Sequence, residues 1–306
     1  MALFKKKGPN HIKDTFGDRV FQVVTTIFLV IILIAVAYPV IYVVSCSLSS
    51  DVALDTGKVL LWPVDITLDG YKFVFQFERI WLGYRNTIFY TIFGVTITMV
   101  MQILAAYPLS RPHYQGRGFF MKVFFFTTMF SAGMIPTYMV RSALGMVNTI
   151  WAVLLASVVG VSNVIILRTA FRSNIPSELY DAASIDGASD FQTMVQVALP
   201  LVKATISTLM LYAAVGCWND YFNAMIYLRH EELYPLQLFL RTILTTAQSL
   251  DASAAHGSAQ LLQTLAKGIK QIQFALIIVA TVPVLVLYFV VQKSFKKGVM
   301  IGSVKG

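Results

Sequence analysis

ELYDAASIDGASDFQ, residues 178–192, carries four carboxylates and many small residues between two runs, 142–167 and 204–228, whose single charge is Asp220. A polar segment framed in this way connects elements that leave water. Further uncharged runs cover 20–50, 86–110, 123–140 and 271–292. A helix crosses a hydrocarbon core with about 20 predominantly apolar residues, so the six runs predict six spans. Composition agrees: 57% of the residues are hydrophobic and 13% charged, and the mean hydropathy is +0.70, outside the balance of a water-soluble domain. The expected fold is an all-α, polytopic membrane protein with six transmembrane helices, laid out as an N-terminal tail (1–19), a transmembrane domain (20–292) and a C-terminal tail (293–306).

The first run follows Lys5, Lys6 and Lys7, as in a signal peptide, but its 31 uncharged residues exceed an h-region of about 7–15. It is expected to be a retained anchor. Six spans put both termini on the side that holds 109–122 and 168–203, and these four pieces carry 15 of the 24 lysines and arginines. The positive-inside rule therefore places both termini and the acidic stretch in the cytoplasm. The net charge of +9 is then a topology signal. Nucleic acid is not an expected partner, since the basic residues sit at membrane edges and no basic helix with interleaved aromatics is present. Cys46 and Cys217 lie in or at the end of apolar runs and read as packed thiols.

On the opposite side lie two long connections, 47–82 and 229–270. In the second, Leu236, Leu238, Leu240 and Leu244 suggest docking on the membrane or a partner, followed by an Ala/Ser/Gly-rich flexible loop. Catalytic and nucleotide-binding signatures are missing: there is no G-x-x-x-x-G-K-[ST], H-E-x-x-H or C-x-x-C, and His11, His113, His230 and His256 are scattered. No catalytic residue, metal ligand or cofactor of its own is expected for this chain.

Within the opening stretch, Pro176 suits the first turn of a helix that places Glu178, Asp181, Ala182 and Ile185 on one face. Gly187 supplies a left-handed residue to end it, and Ser189 with Gln192 forms a capping box for a second helix. Leu199-Pro200 is expected to stop that helix, with the fifth span starting near Leu201. Ala182, Ala183, Ser184, Gly187, Ala188 and Ser189 leave little apolar area for lipid but permit close approach of another backbone. The aspartates Asp181, Asp186 and Asp190 offer acceptors to amides and arginines. A docking surface fits better than a membrane-lying helix.

IPSELYDAASIDGASDFQTMVQVALPL (175–201) resembles the EAA loop of ABC-importer permeases in its carbohydrate-uptake form, E-L-x-E-A-A-x-I-D-G-A ending at L-P. Asp181 stands where the motif has glutamate, and Met194 where phenylalanine is common. GKVLLWPVDITLDGY, YRNTIFYT, GCWNDYFNAMIYL and the terminal KKGVMIGSVKG are similar to the smaller, maltose-permease-like sugar permease of such importers, most of all the subgroup for oligosaccharides or polysaccharide fragments. The resemblance implies an EAA loop at about 174–200, with Glu178, Asp181, Ala182, Ala183, Asp186, Gly187 and Ala188 coupling to an ATPase, and a tail, Val304, Lys305 and Gly306, reaching into the ATPase dimer.

It also implies a sister permease in a heterodimer, two ABC ATPase subunits that bind ATP and Mg, an extracellular substrate-binding protein, a carbohydrate substrate, membrane lipid around the spans and a bacterial cytoplasmic membrane. Trp218, Asn219, Asp220 and Asn223 near the outer half of span five are candidate substrate-pathway residues, because an intramembrane acid marks a functional site. Trp218 and Tyr221 offer faces for a sugar. The alternatives are a permease for another small polar solute, a secondary transporter, which would show two similar halves with broken helices, and a membrane enzyme, which would need converging catalytic groups.

Overall fold

In the computed structural model the described residues are 15–130, 132–156, 158–254 and 269–302, and no strand occurs among them. The first helix, Phe16–Ser47, starts ahead of the apolar run because Thr15 and Asp18 close a capping box in front of it. Most of its large side chains are exposed. Only Ser45, Cys46 and Ser47 at its end are buried. For a chain dissolved in lipid this is the expected inversion, since hydrocarbon and protein interior are equally apolar and only backbone polar groups must be satisfied internally.

The central element is Glu78–Ser110, a helix of 33 residues. Val161–Asn174 and Lys203–Trp218 pack on it, sharing a core of Val95, Met99, Val164, Leu167, Phe171 and Leu209. The long last helix, Ile269–Gly302, packs against Phe16–Ser47, Lys203–Trp218 and the short helix Asp69–Gln76. Gln271 fastens that join: its Oε1 accepts from Gly70 N–H at 3.2 Å and its Nε2 donates to the Thr67 carbonyl at 3.0 Å.

Among the described residues, two helices, Phe16–Ser47 and Glu78–Ser110, are long and apolar enough to cross a membrane unbroken. Some of the other predicted spans are interrupted. The 123–140 run divides into Arg117–Met129 and Met134–Ala143, bent by 120°. Gly133 lies at the break with φ 81° and ψ −180°, a region open essentially to glycine alone. The 142–167 run becomes Ile150–Leu154 and Val161–Asn174, the second helix running on past Arg168. Asn148 before them has φ 61°, and its Oδ1 accepts from the N–H groups of Arg229 and His230 at 2.9 and 3.0 Å, so this turn is held by a distant loop.

Two more expectations are corrected on the connection 229–270. Leu236, Leu238 and Leu240 are buried in their own chain, where Leu236 and Leu240 pack with Val74, Ile80, Leu276 and Ala280 rather than waiting for lipid or a partner. Hydrogen bonds explain the docking. Asn86 Nδ2 donates to the Glu232 carbonyl at 2.7 Å, and Leu236 N–H donates to Thr87 Oγ1 at 2.8 Å. The Ala/Ser/Gly-rich part is helical through Ala254, and 255–268 lie outside the described residues. The last helix continues to Gly302, so the segment from 293 is helical beyond the end of the apolar run; Val304, Lys305 and Gly306 lie outside the described residues.

Candidate functional site

Ile175 is extended, as a residue before proline prefers, and Pro176 is too (φ −59°, ψ 146°), which puts Pro176 one place ahead of the helix rather than in its first turn. The helix is Ser177–Ile185. It ends as expected: Gly187 has φ +74°, and Ala188 N–H donates to the Ala183 carbonyl at 2.9 Å. Ser189 and Gln192 then form the capping box, with Gln192 Oε1 accepting from Ser189 N–H at 2.8 Å. The second helix does not stop at Leu199-Pro200. Its middle, Thr193–Ala198, widens into a π-helix, and the chain stays helical through Leu201 before bending by 83° into Lys203–Trp218. A wide turn changes the hydrogen-bond register ahead of Pro200, which has no N–H to give.

The face predicted for the first helix is the exposed one: Glu178, Asp181, Ala182 and Ile185 all point outward, as do Asp186 and Gly187. Ile185 is 86% exposed and Phe191 66%. Ala183 is buried and Ala188 half-buried, so Ala183 seats the loop on its own chain. Glu178, Asp181 and Asp186 make no ion pair among the described residues. The opposite side is anchored by Tyr180, whose ring lies 3.6 Å from the guanidinium carbon of Arg111, the residue that caps the Glu78–Ser110 helix. Burial pushes the Tyr180 hydroxyl up, and the Arg111 guanidinium opposes that rise. Arg168 Nε donates to the Leu109 carbonyl at 2.9 Å, tying a third helix to the same end.

Deeper in the helical body, a cavity of about 480 Å³ lies between Glu78–Ser110, Val161–Asn174 and Lys203–Trp218. Asn219, Asp220 and Asn223 line it. Both carboxylate oxygens of Asp220 accept from Asn223 Nδ2, at 3.0 and 2.9 Å, and Oδ1 also accepts from Asn223 N–H at 3.1 Å. Trp218 does not belong with them. It is buried, its Nε1 donating to the Ala280 carbonyl at 3.2 Å, and its ring packs on Tyr84. Trp218 therefore holds two helices together and offers no face to a ligand, while Tyr212 is the aromatic residue on the cavity wall.

No protein-family model matches the chain. Over 293 residues it is 35% identical to protein LplC of Bacillus subtilis (strain 168), covering 96% of this chain and 97% of that protein. It is also 35% identical over 292 residues to the polygalacturonan/rhamnogalacturonan transport system permease protein YtcP of the same organism, with 94% and 99% covered. The chain belongs to the carbohydrate ABC transporter permeases.

The permease also resembles, at 34% identity and a TM-score of 0.82, a chain in the crystal structure of a bacterial ABC transporter involved in the import of the acidic polysaccharide alginate; the match covers 93% of this chain and 100% of that one. Sequence reading of the permease missed Arg111, Gln102, Asn163 and Arg141. An amide inside an apolar run, Gln102 in 86–110 and Asn163 in 142–167, is the signal that was legible, because an amide in a membrane helix needs a partner.

Proposed function

We propose that this permease is one half of the membrane path of a binding-protein-dependent importer, crossing the bacterial cytoplasmic membrane six times with both termini inside and carrying an oligosaccharide or polysaccharide fragment. The observation that carries the reading is the exposed helix, left-handed Gly187 and capped second helix of 177–192, which present Ile185, Phe191 and unpaired carboxylates away from their own chain. The partner is an ATPase subunit that binds ATP and Mg. Glu178, Asp181, Ala182, Asp186 and Gly187 face its cleft, and Ala183 and Ala188 set the loop's seat.

Movement of the loop passes through Tyr180 to Arg111 and so into the Glu78–Ser110 helix, which also lines the cavity. Two ATPase subunits, a sister permease and an external binding protein complete the importer, and Val304, Lys305 and Gly306 reach the ATPase dimer. Asn219, Asp220 and Asn223 line the substrate path. Reconstituted importer carrying Gly187→Val is expected to assemble and to lose sugar-stimulated ATP hydrolysis. Near-normal stimulation would reduce the loop to a connector.

A further inference from the structure

The wall of the 480 Å³ cavity carries a side chain with an unusual position. Gln102 is wholly buried, and among the described residues neither its Nε2 nor its Oε1 has a hydrogen-bond partner. An amide without partners in a dry interior is costly, so such a group points to a function for which its donor and acceptor are held ready. Gln102 faces Gly160, where an added Cβ would stand 3.5 Å from Nε2 and 3.2 Å from Asn163 Nδ2. The glycine thus keeps two amides beside the cavity. Asn223 and Asp220 stand on its wall as well, and the volume is within the range of about 300–1,000 Å³ typical of small-molecule sites.

Amides and a carboxylate are the groups that hydrogen-bond both ways with sugar hydroxyls, since amides donate and accept while a carboxylate accepts from O–H. The charged side chain on the wall is Asp220. Arg141 is not among the lining residues: Nη2 donates to the Ala156 carbonyl at 2.9 Å, Nη1 lies 3.5 Å from Asn223 Oδ1, and its guanidinium carbon sits 4.5 Å from the Tyr227 ring centre. A uronate carboxylate entering the cavity would meet the like charge of Asp220 on the wall, with the Arg141 guanidinium held off that wall by neutral partners.

We infer that the cavity is a subsite for an uncharged sugar ring, with Gln102 as the amide that takes up its hydroxyls as the path opens, and that it discriminates against a uronate at this position. This rests on the substrate-path reading above. The test uses the assembled importer in lipid nanodiscs without its binding protein, titrated with galactotriose and with the trimer of galacturonic acid.

Galactotriose is expected to bind at least tenfold tighter, Asp220→Asn to bring the two within threefold, and Gln102→Leu to weaken galactotriose at least tenfold at an unchanged thermal midpoint. Gln102→Asn, which keeps the amide but shortens its reach, is expected to fall between and guards against a folding artefact. Tighter binding of the uronate, binding of neither trimer, or galactotriose affinity within twofold in Gln102→Leu would overturn the subsite. Import by the wild-type importer with its binding protein separates the readings: if carbohydrate still enters, only the subsite falls, whereas no carbohydrate import sinks the importer reading with it.

Discussion

Gly187 shows how much one backbone angle controls. Nothing lies within 4 Å of a Cβ built there, so a larger side chain meets no wall, and the only obstacle is φ +74°. Left-handed backbone costs a residue with Cβ roughly 1–2 kcal/mol, more for a β-branched one and less for asparagine. Gly187→Asn is therefore expected to keep most of the sugar-stimulated ATPase activity that Gly187→Val loses. Equal loss in both would point to crowding by a partner instead of strain. Asp181→Ala should act more mildly, because a rim ion pair is worth about 0–1 kcal/mol. Arg111 makes a second test at this scale. Its stacking on Tyr180 is worth about 0.5–2 kcal/mol, so Arg111→Leu should lower sugar imported per ATP hydrolysed while the complex still assembles, and unchanged stoichiometry would remove Arg111 from the coupling route.

Among the elements, the Leu236–Ala254 helix is the one whose role reversed between sequence and structure. Leu236 is fully buried against Val74, Ile80 and the last helix, and truncating such a leucine costs about 2–5 kcal/mol. Leu236→Ala is expected to lower the thermal midpoint of the purified complex by several degrees, and Leu244→Ala, half-buried, by much less. Equal shifts would mean that the segment is held by something other than this pocket. The π-helix Thr193–Ala198 plays a different part. It lets Pro200 sit in a helix that runs without a break from the capping box to the bend at Val202.

For the whole molecule, the long first helix carries much of the exposed apolar surface. Phe16–Ser47 is exposed almost throughout, as a lipid-facing helix is. Affinity purification in mild detergent is expected to yield this permease with one sister permease and two ATPases. A transport-competent homodimer would sink the heterodimer.

The sequence by itself determined the all-α class and the local chemistry of 177–192. Gly187 and the Ser189–Gln192 box are legible because each depends on residues within four positions, where backbone geometry and side-chain reach are fixed in advance. Only the tertiary structure decided that Trp218 turns to Ala280, that Leu236 packs on its own chain, and that Gln102 and Asn163 meet Asp220 across a cavity. Partition into a bilayer sorts segments by polarity, but an apolar side chain is as content against lipid as against protein. Which face of a helix meets a neighbour is therefore set by packing and by where buried polar groups find partners, and neither is written in the spacing of apolar residues.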